Sequence, residues 1–339
     1  MMLKRNAKNM PEGFEPPVPA WAGDWTDGVE QLTSAFFGVQ GEETPEWQQW
    51  VGQALDGNTE DGPALVEKAF FTDAAGAPNH VYLAYWRNGR YLAWWQQDDV
   101  SGWWSAEERA NEGAGYWREV STVAPDRIET LHSSPNSHGI ATLASELEGP
   151  VPEHGYAGAA RDRIPASGGD ALRGDEATPH SLRAEVAADG QRVRIVAPRN
   201  MCIIRSGQDW DHCDAEERDF YLTQVAPSLQ AGMDYLRDNP EESRCLCMRL
   251  MRRTNDDNGE LNQTFGLGYG LDIYAFENWA KSHPTHTKIF GQFLNHAEKF
   301  GENMQLRLWH EVSVVADEGT EFEYIACHSQ TGLLPYANA

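Results

Sequence analysis

The chain carries WREVS at residues 117–121 and WHEVS at 309–313. Each pentapeptide follows a Trp-containing helical stretch and closes a run of elements in the same order. That doubling limits the fold to architectures assembled from two copies of one unit. In the first copy EQLTSAFFGVQ reads as a strand, and TPEWQQWVGQAL as a helix opened by Thr44 and Pro45. HVYLAYW is strand-like, RYLAWWQQDDVSGWW helical, and YWREVSTV alternates as a closing strand. From residue 191 the order recurs. RVRIVAPRNMCIIRS is strand material, and DAEERDFYLTQVAPSLQAGMDYLRDNP is a long amphipathic helix with a kink expected at Pro227. SRCLCMRLMRR and NQTFGLGYGL follow as strands, then helical IYAFENWAKSHPTHTKIFGQFLNHAEKF, broken near Pro284. MQLRLWHEVSVV and FEYIACHS are the last strands. Two β-α-β-β-α-β units with facing sheets predict an α+β protein, two ferredoxin-like halves in a barrel-type arrangement.

The expected organisation is an extended, Pro-rich arm over residues 1–25 and a first half over 26–135. A Gly- and Pro-rich connection over 136–190 contributes to a pocket, and the second half covers 191–339. Charge narrows the function. With 27 basic against 52 acidic residues the chain carries −25, which argues against nucleic acid and anionic membrane partners and otherwise serves solubility. No apolar run is long enough to cross a membrane. The basic N-terminus lacks the apolar stretch of a signal peptide, so a cytoplasmic protein is expected. Cys202, Cys213, Cys245, Cys247 and Cys327 contain no CxxC pair, and they read as free thiols rather than a disulfide framework or zinc site. Thirteen tryptophans call for large apolar cores or a pocket for a flat ligand.

Two histidines stand out against apolar patterns. In SHPTHTKIF, Pro284 suits the first position of a helix, which makes His283 the cap and places His286 in the first turn. His286, Ile289, Phe290, Phe293 and Ala297 then share one helical stripe, expected to be buried. His310 lies on one strand face with Leu306, Leu308, Val312 and Val314. Either could be a core histidine satisfied by a backbone carbonyl. Together, in an aromatic-rich half, they also fit a haem pocket, one as axial ligand and one on the open side of the iron. A zinc site would want further ligands nearby, and none is evident. Ser206 shares a strand face with Cys202 and Ile204 before a Gly turn. It is either a turn cap or a hydroxyl aimed into a pocket. Arg163 falls in the long connection, and Glu129 lies between Ile128 and Leu131 just after the first half.

RSGQDW, SHPTH, WHEVSV, HGYxGxxRDRxP and ACHSQTGLLP, in that set, resemble the haem-containing aldoxime dehydratases, also called phenylacetaldoxime dehydratases or nitrile synthases. The resemblance covers nearly the whole chain. It implies a dimeric α+β barrel-type fold of ferredoxin-like halves, with one protoheme (haem b) per subunit between sheet and helices, ferrous in the active state. On the matching motifs His286 is the proximal ligand, His310 the distal histidine, and Ser206, Arg163 and Glu129 the other pocket residues. The implied reaction converts R–CH=N–OH to a nitrile and water. The oxime hydroxyl is held by Ser206, and proton transfer by His310 is worth ~10²–10⁴-fold. Glu129 and Arg163 orient that histidine. A haem peroxidase or chlorite-dismutase-like enzyme on the same barrel is the alternative, and a non-enzymatic haem carrier or gas sensor is a further one.

Overall fold

The computed structural model describes residues 5–174, 178–316 and 318–338. In chain order, β1 (Leu32–Gln40) leads into α1 (Pro45–Ala54), whose Thr44 cap accepts from the Trp47 N–H ahead of Pro45. β2 (Leu65–Thr72) and β3 (Pro78–Arg87) form a hairpin, and the Trp-rich stretch is two short helices, α2 (Arg90–Trp95) and α3 (Asp98–Ser105). β4 (Gly115–Val123) closes the unit. Before the second unit come β5 (Ile128–His132), α4 (Ala159–Arg163), β6 (Leu182–Val186) and β7 (Arg192–Ile195). The second unit comprises β8 (Cys202–Asp209), α5 (Ala215–Phe220), α6 (Ala226–Asp238), β9 (Cys245–Thr254) and β10 (Glu260–Gly270). It continues through α7 (Ile273–Ser282), α8 (Pro284–Phe300) and β11 (Arg307–Val314), and β12 (Thr320–Ile325) follows.

Both units order their strands alike. The first runs β4-β1-β3-β2 and the second β11-β8-β10-β9, antiparallel throughout. The register repeats as well. Gly38 pairs with Trp117 and Gly207 with Trp309. Each indole lies so close to its glycine that an added Cβ would meet the ring at 2.0 Å and 2.1 Å respectively. Tyr85 donates across the molecule to Glu311 (2.8 Å), and Tyr269 donates reciprocally to Glu119 (2.6 Å). The glutamate of each WxEVS motif therefore binds the other unit's tyrosine, while its tryptophan seals its own unit. Crossed bonds of this kind bring the two sheets face to face.

The expected barrel does not close. The units join along one edge, where Lys68, Ala69 and Phe70 pair with Thr254, Arg253 and Arg252. The strands that would close the other side already have neighbours: β12 covers β4 and β5 covers β11. With those edges saturated by strands from outside the repeats, no backbone donors remain for closure. Strands β1–β12 lie in one long open ladder instead, and Ala22–Gly23 pairs with Leu147–Glu148 in a separate two-stranded piece.

The outward faces diverge. In the first unit Phe37, Trp47, Trp50, Trp94 and Trp104 pack the sheet against its helices, and Arg118 stacks on Trp95 at 3.9 Å. The sheet side of the corresponding layer in the second unit is free of aromatic rings at the matching positions: Ile204, Met248 and Val312 meet Leu229, Met233, Trp279 and Ile289. The kink expected at Pro227 takes the form of a π-helical turn over Tyr221–Val225, between α5 and α6. Proline lacks an N–H and its ring crowds the carbonyl four residues back, which a widened turn relieves.

Candidate active site

Glu129 enters the site from β5, which pairs with β11 so that Leu131 lies opposite His310 and Glu129 opposite Val312. Arg163 is the last residue of α4, followed by the fully buried Ile164. Its guanidinium grips Glu129 through both oxygens, Nε to Oε2 at 2.8 Å and Nη2 to Oε1 at 3.0 Å. The His310 Nε2 sits 3.0 Å from Glu129 Oε1 and 3.0 Å from Arg163 Nη2. When Nε2 carries a proton it donates to the carboxylate. When bare, it accepts from the guanidinium. The ring is thus held in one orientation in either state.

Both ion-pair side chains are buried, 1% and 2% exposed, whereas His310 retains 27%. Burial alone would push the Glu129 carboxyl up. The Arg163 and His310 charges and their hydrogen bonds outweigh it and hold the group at about 2. Ser206 is the cross-strand partner of His310 in the β8–β11 ladder, so hydroxyl and imidazole share the face turned toward the helices. In the first unit the equivalent pair is Phe37 and Arg118, submerged among tryptophans. At these two positions the first copy is enclosed by aromatic rings, whereas His310 keeps part of its surface open.

The two histidines of SHPTH part company as expected. His283 caps α8, accepting from Thr285 N–H, and stacks on Tyr235 with ring centroids 3.7 Å apart. His286 is half-buried, edge-on to Trp279 at 4.7 Å, and burial draws its pKa below the ordinary value, partly offset by a bond to the Ala280 backbone. Its stripe is not the buried one anticipated: Phe290 is 37% exposed, and Ile289, Phe293 and Ala297 are half-buried. The fully buried side chain of α8 is His296, absent from the sequence expectation, whose Nε2 bonds Glu217 Oε1 at 2.9 Å. Glu217 also accepts from the backbone N–H groups of Gln305 and Leu306, which ties α8 to the start of β11. Phe293 and Phe300, three before and four after His296, share its side of the helix and were the available clue.

Glu129, Arg163 and His310 therefore converge, Ser206 lies beside them, and His286 stands apart on the helical layer. The donor set fits a haem. Among the described residues no group of three or more His, Cys, Asp or Glu is placed to cage a bare ion. A lone imidazole on a half-open apolar helix face suits an iron that brings its own equatorial ligands.

The site thus combines a half-buried imidazole on the helical layer with a second histidine, on the sheet, fixed by a buried ion pair. A family model for haem-containing dehydratases matches residues 35–333. The chain is 34% identical to an aliphatic aldoxime dehydratase of a Pseudomonas species, over 97% of this chain and 94% of that one. It is 32% identical to a phenylacetaldoxime dehydratase of Bacillus sp. strain OxB-1 over the same shares. A crystal structure of an aldoxime dehydratase in complex with butyraldoxime superposes with a TM-score of 0.90 at 31% identity, covering 99% of this chain and 95% of the other. The chain belongs to the haem-containing dehydratase family, and haem is its cofactor.

Proposed function

We propose that this chain is a haem b lyase that dehydrates aldoximes to nitriles, with His286 as the residue that would hold the iron and His310 as the acid–base residue. The observation that carries the reading is the Glu129–Arg163–His310 constellation beside Ser206, in a chain whose relatives are aldoxime dehydratases. When bound, ferrous haem supplies an electron-donating iron at the oxime nitrogen. Ser206 holds the oxime hydroxyl. Protonated His310 gives that oxygen a proton as the N–O bond breaks, so that it leaves as water. The neutral imidazole then takes the aldoxime C–H proton, which completes the nitrile and restores the acid. Glu129 and Arg163 hold the ring through Nε2, which leaves Nδ1 as the nitrogen that gives and takes the proton in both transfers. General acid–base help of this kind is worth ~10²–10⁴-fold.

The aliphatic layer of Ile204, Met248 and Val312 on the same sheet face favours an apolar substituent on the aldoxime. The shared strand order supports two ferredoxin-like halves, and a homodimer is proposed on the family resemblance. Five free cysteines fit a reducing compartment, so a cytoplasmic location goes with the proposal. The test is dithionite-reduced, haem-loaded protein given butyraldoxime or phenylacetaldoxime, with nitrile read by gas chromatography. Absence of nitrile from both, in protein showing a Soret band, refutes the reading.

A further inference from the structure

The arm before β1 is bonded at several points to the short segment that carries Arg163. Asp162, 1% exposed, accepts from the Asn9 backbone N–H at 2.9 Å, from Asn9 Nδ2 at 2.6 Å and from the Tyr156 hydroxyl at 2.9 Å. Its own carbonyl accepts from the Asn6 N–H at 2.8 Å. Asn6 Nδ2 reaches the Pro165 carbonyl at 3.1 Å, and Lys8 reaches that of Gly168 at 3.2 Å. The arm lies against this segment at van der Waals distance. A Cβ added to Gly158 would meet Asn9 Cβ at 2.9 Å, and one added to Gly168 would meet Asn6 Nδ2 at 2.9 Å. Gly158 is also left-handed (φ 89°), so both its space and its backbone suit glycine.

Arg163 needs such support. A cavity of about 500 Å³ borders its guanidinium and Glu129, lined also by Arg5, Glu148 and Glu153. Side-chain packing around this pair is therefore incomplete. α4 has only five residues, too short to hold its position by helical cooperativity. Arg163 is held by Glu129 and the Glu153 carbonyl, and the backbone that carries it by the buried Ile164 and by the hydrogen-bonded grip on the residue next door.

We infer that the N-terminal arm is a brace for the active site, and that Asp162, held by Asn9 and Asn6, is a positioning residue that sets Arg163 against Glu129 and His310. The inference rests on the proposed role of Arg163. Misplacement of a catalytic group by about 1 Å costs on the order of 10²-fold in rate, and loss of an outer supporting bond costs about 10- to 100-fold.

The experiment compares haem-loaded wild type with Asp162→Asn, Asn9→Asp, and the double variant carrying both, alongside Arg163→Met. Each single change breaks the carboxylate–amide pair. The double variant rebuilds it with the roles exchanged, because an Asn oxygen at 162 still accepts the arm's N–H and its amide donates to the new carboxylate. The brace requires kcat to fall about 10-fold or more in both single variants, with KM and Soret absorbance unchanged. It also requires the acid limb of the pH profile to move upward, as Glu129 loses part of the charge that keeps it ionised, and the double variant to regain wild-type kcat. Unchanged kcat in the single variants, activity loss in step with haem loss, or failure of the double variant to recover would each overturn it. If Arg163→Met itself keeps full kcat, the site assignment fails instead. If Arg163→Met loses kcat while the arm variants do not, only the brace fails.

Discussion

Arg163→Met deletes the guanidinium while keeping much of the side chain's length, so the main loss is electrostatic. It leaves the Glu129 carboxyl 1% exposed with His310 as its remaining charged partner. A fall from 4.5 to about 2 in the folded state corresponds to about 3 kcal/mol, at about 1.4 kcal/mol per pH unit. That figure is what survives the opposing burial, and Arg163 and His310 share in producing it, so it sets the scale of the effect rather than a ceiling on Arg163. Truncating one member of a buried pair separately costs ~3–5 kcal/mol, because the other charge is stranded. The variant should therefore lose about 3 kcal/mol from a total of ~5–15 kcal/mol, folding still but with a lower urea midpoint. The pH dependence gives the sharper test. An acid whose folded pKa is depressed adds stability above its unfolded value near 4.5 and loses it as pH falls through about 2. The gap between wild type and variant should be full near neutral pH and shrink on acidification over that window. In parallel, the infrared band of a protonated buried carboxyl should appear at higher pH in the variant. An unchanged urea midpoint, or a gap constant across the window, would refute the assignment of the Glu129 charge to Arg163.

His286→Ala should abolish the Soret band with far-ultraviolet circular dichroism retained, whereas His310→Ala should keep the band and lose turnover by ~10²–10⁴-fold; equal haem retention in both would overturn the axial assignment. Gly207→Ala places a methyl 2.1 Å from the Trp309 ring, opposite the Ser206–His310 face, and should destabilise by ~1–3 kcal/mol or more in urea titration. A neutral result there would mean the indole can swing away, and that the tight Gly–Trp contact does not hold the two strands in register.

Most of the element types were legible because they follow from local periodicity and from punctuation. Thr44-Pro45 and His283-Pro284 announced helix starts, and both form. WREVS and WHEVS announced the doubling, and the matching registers Gly38–Trp117 and Gly207–Trp309 accompany it. The stripe through Phe290 misled because a helical stripe states which residues share a face, not whether the chain itself covers that face. Closure of the barrel was misjudged for a related reason: β5 and β12 lie outside the repeats, and their claim on the free edges leaves no trace in the repeat pattern.

Sequence by itself determined the strands and helices, the duplicated unit, and the residue types that haem chemistry would use, since these depend on neighbours a few positions apart. Tertiary structure alone decided that Arg163 meets Glu129 across 34 residues and His310 across 147, and that Asn9 grips Asp162 across 153. It also decided that one copy of the repeated face is filled with tryptophan while the other presents Ser206 and His310. Pairing at such separations is settled by the free energy of the whole packed chain, through loop closure, burial and competing partners. No local pattern encodes that balance.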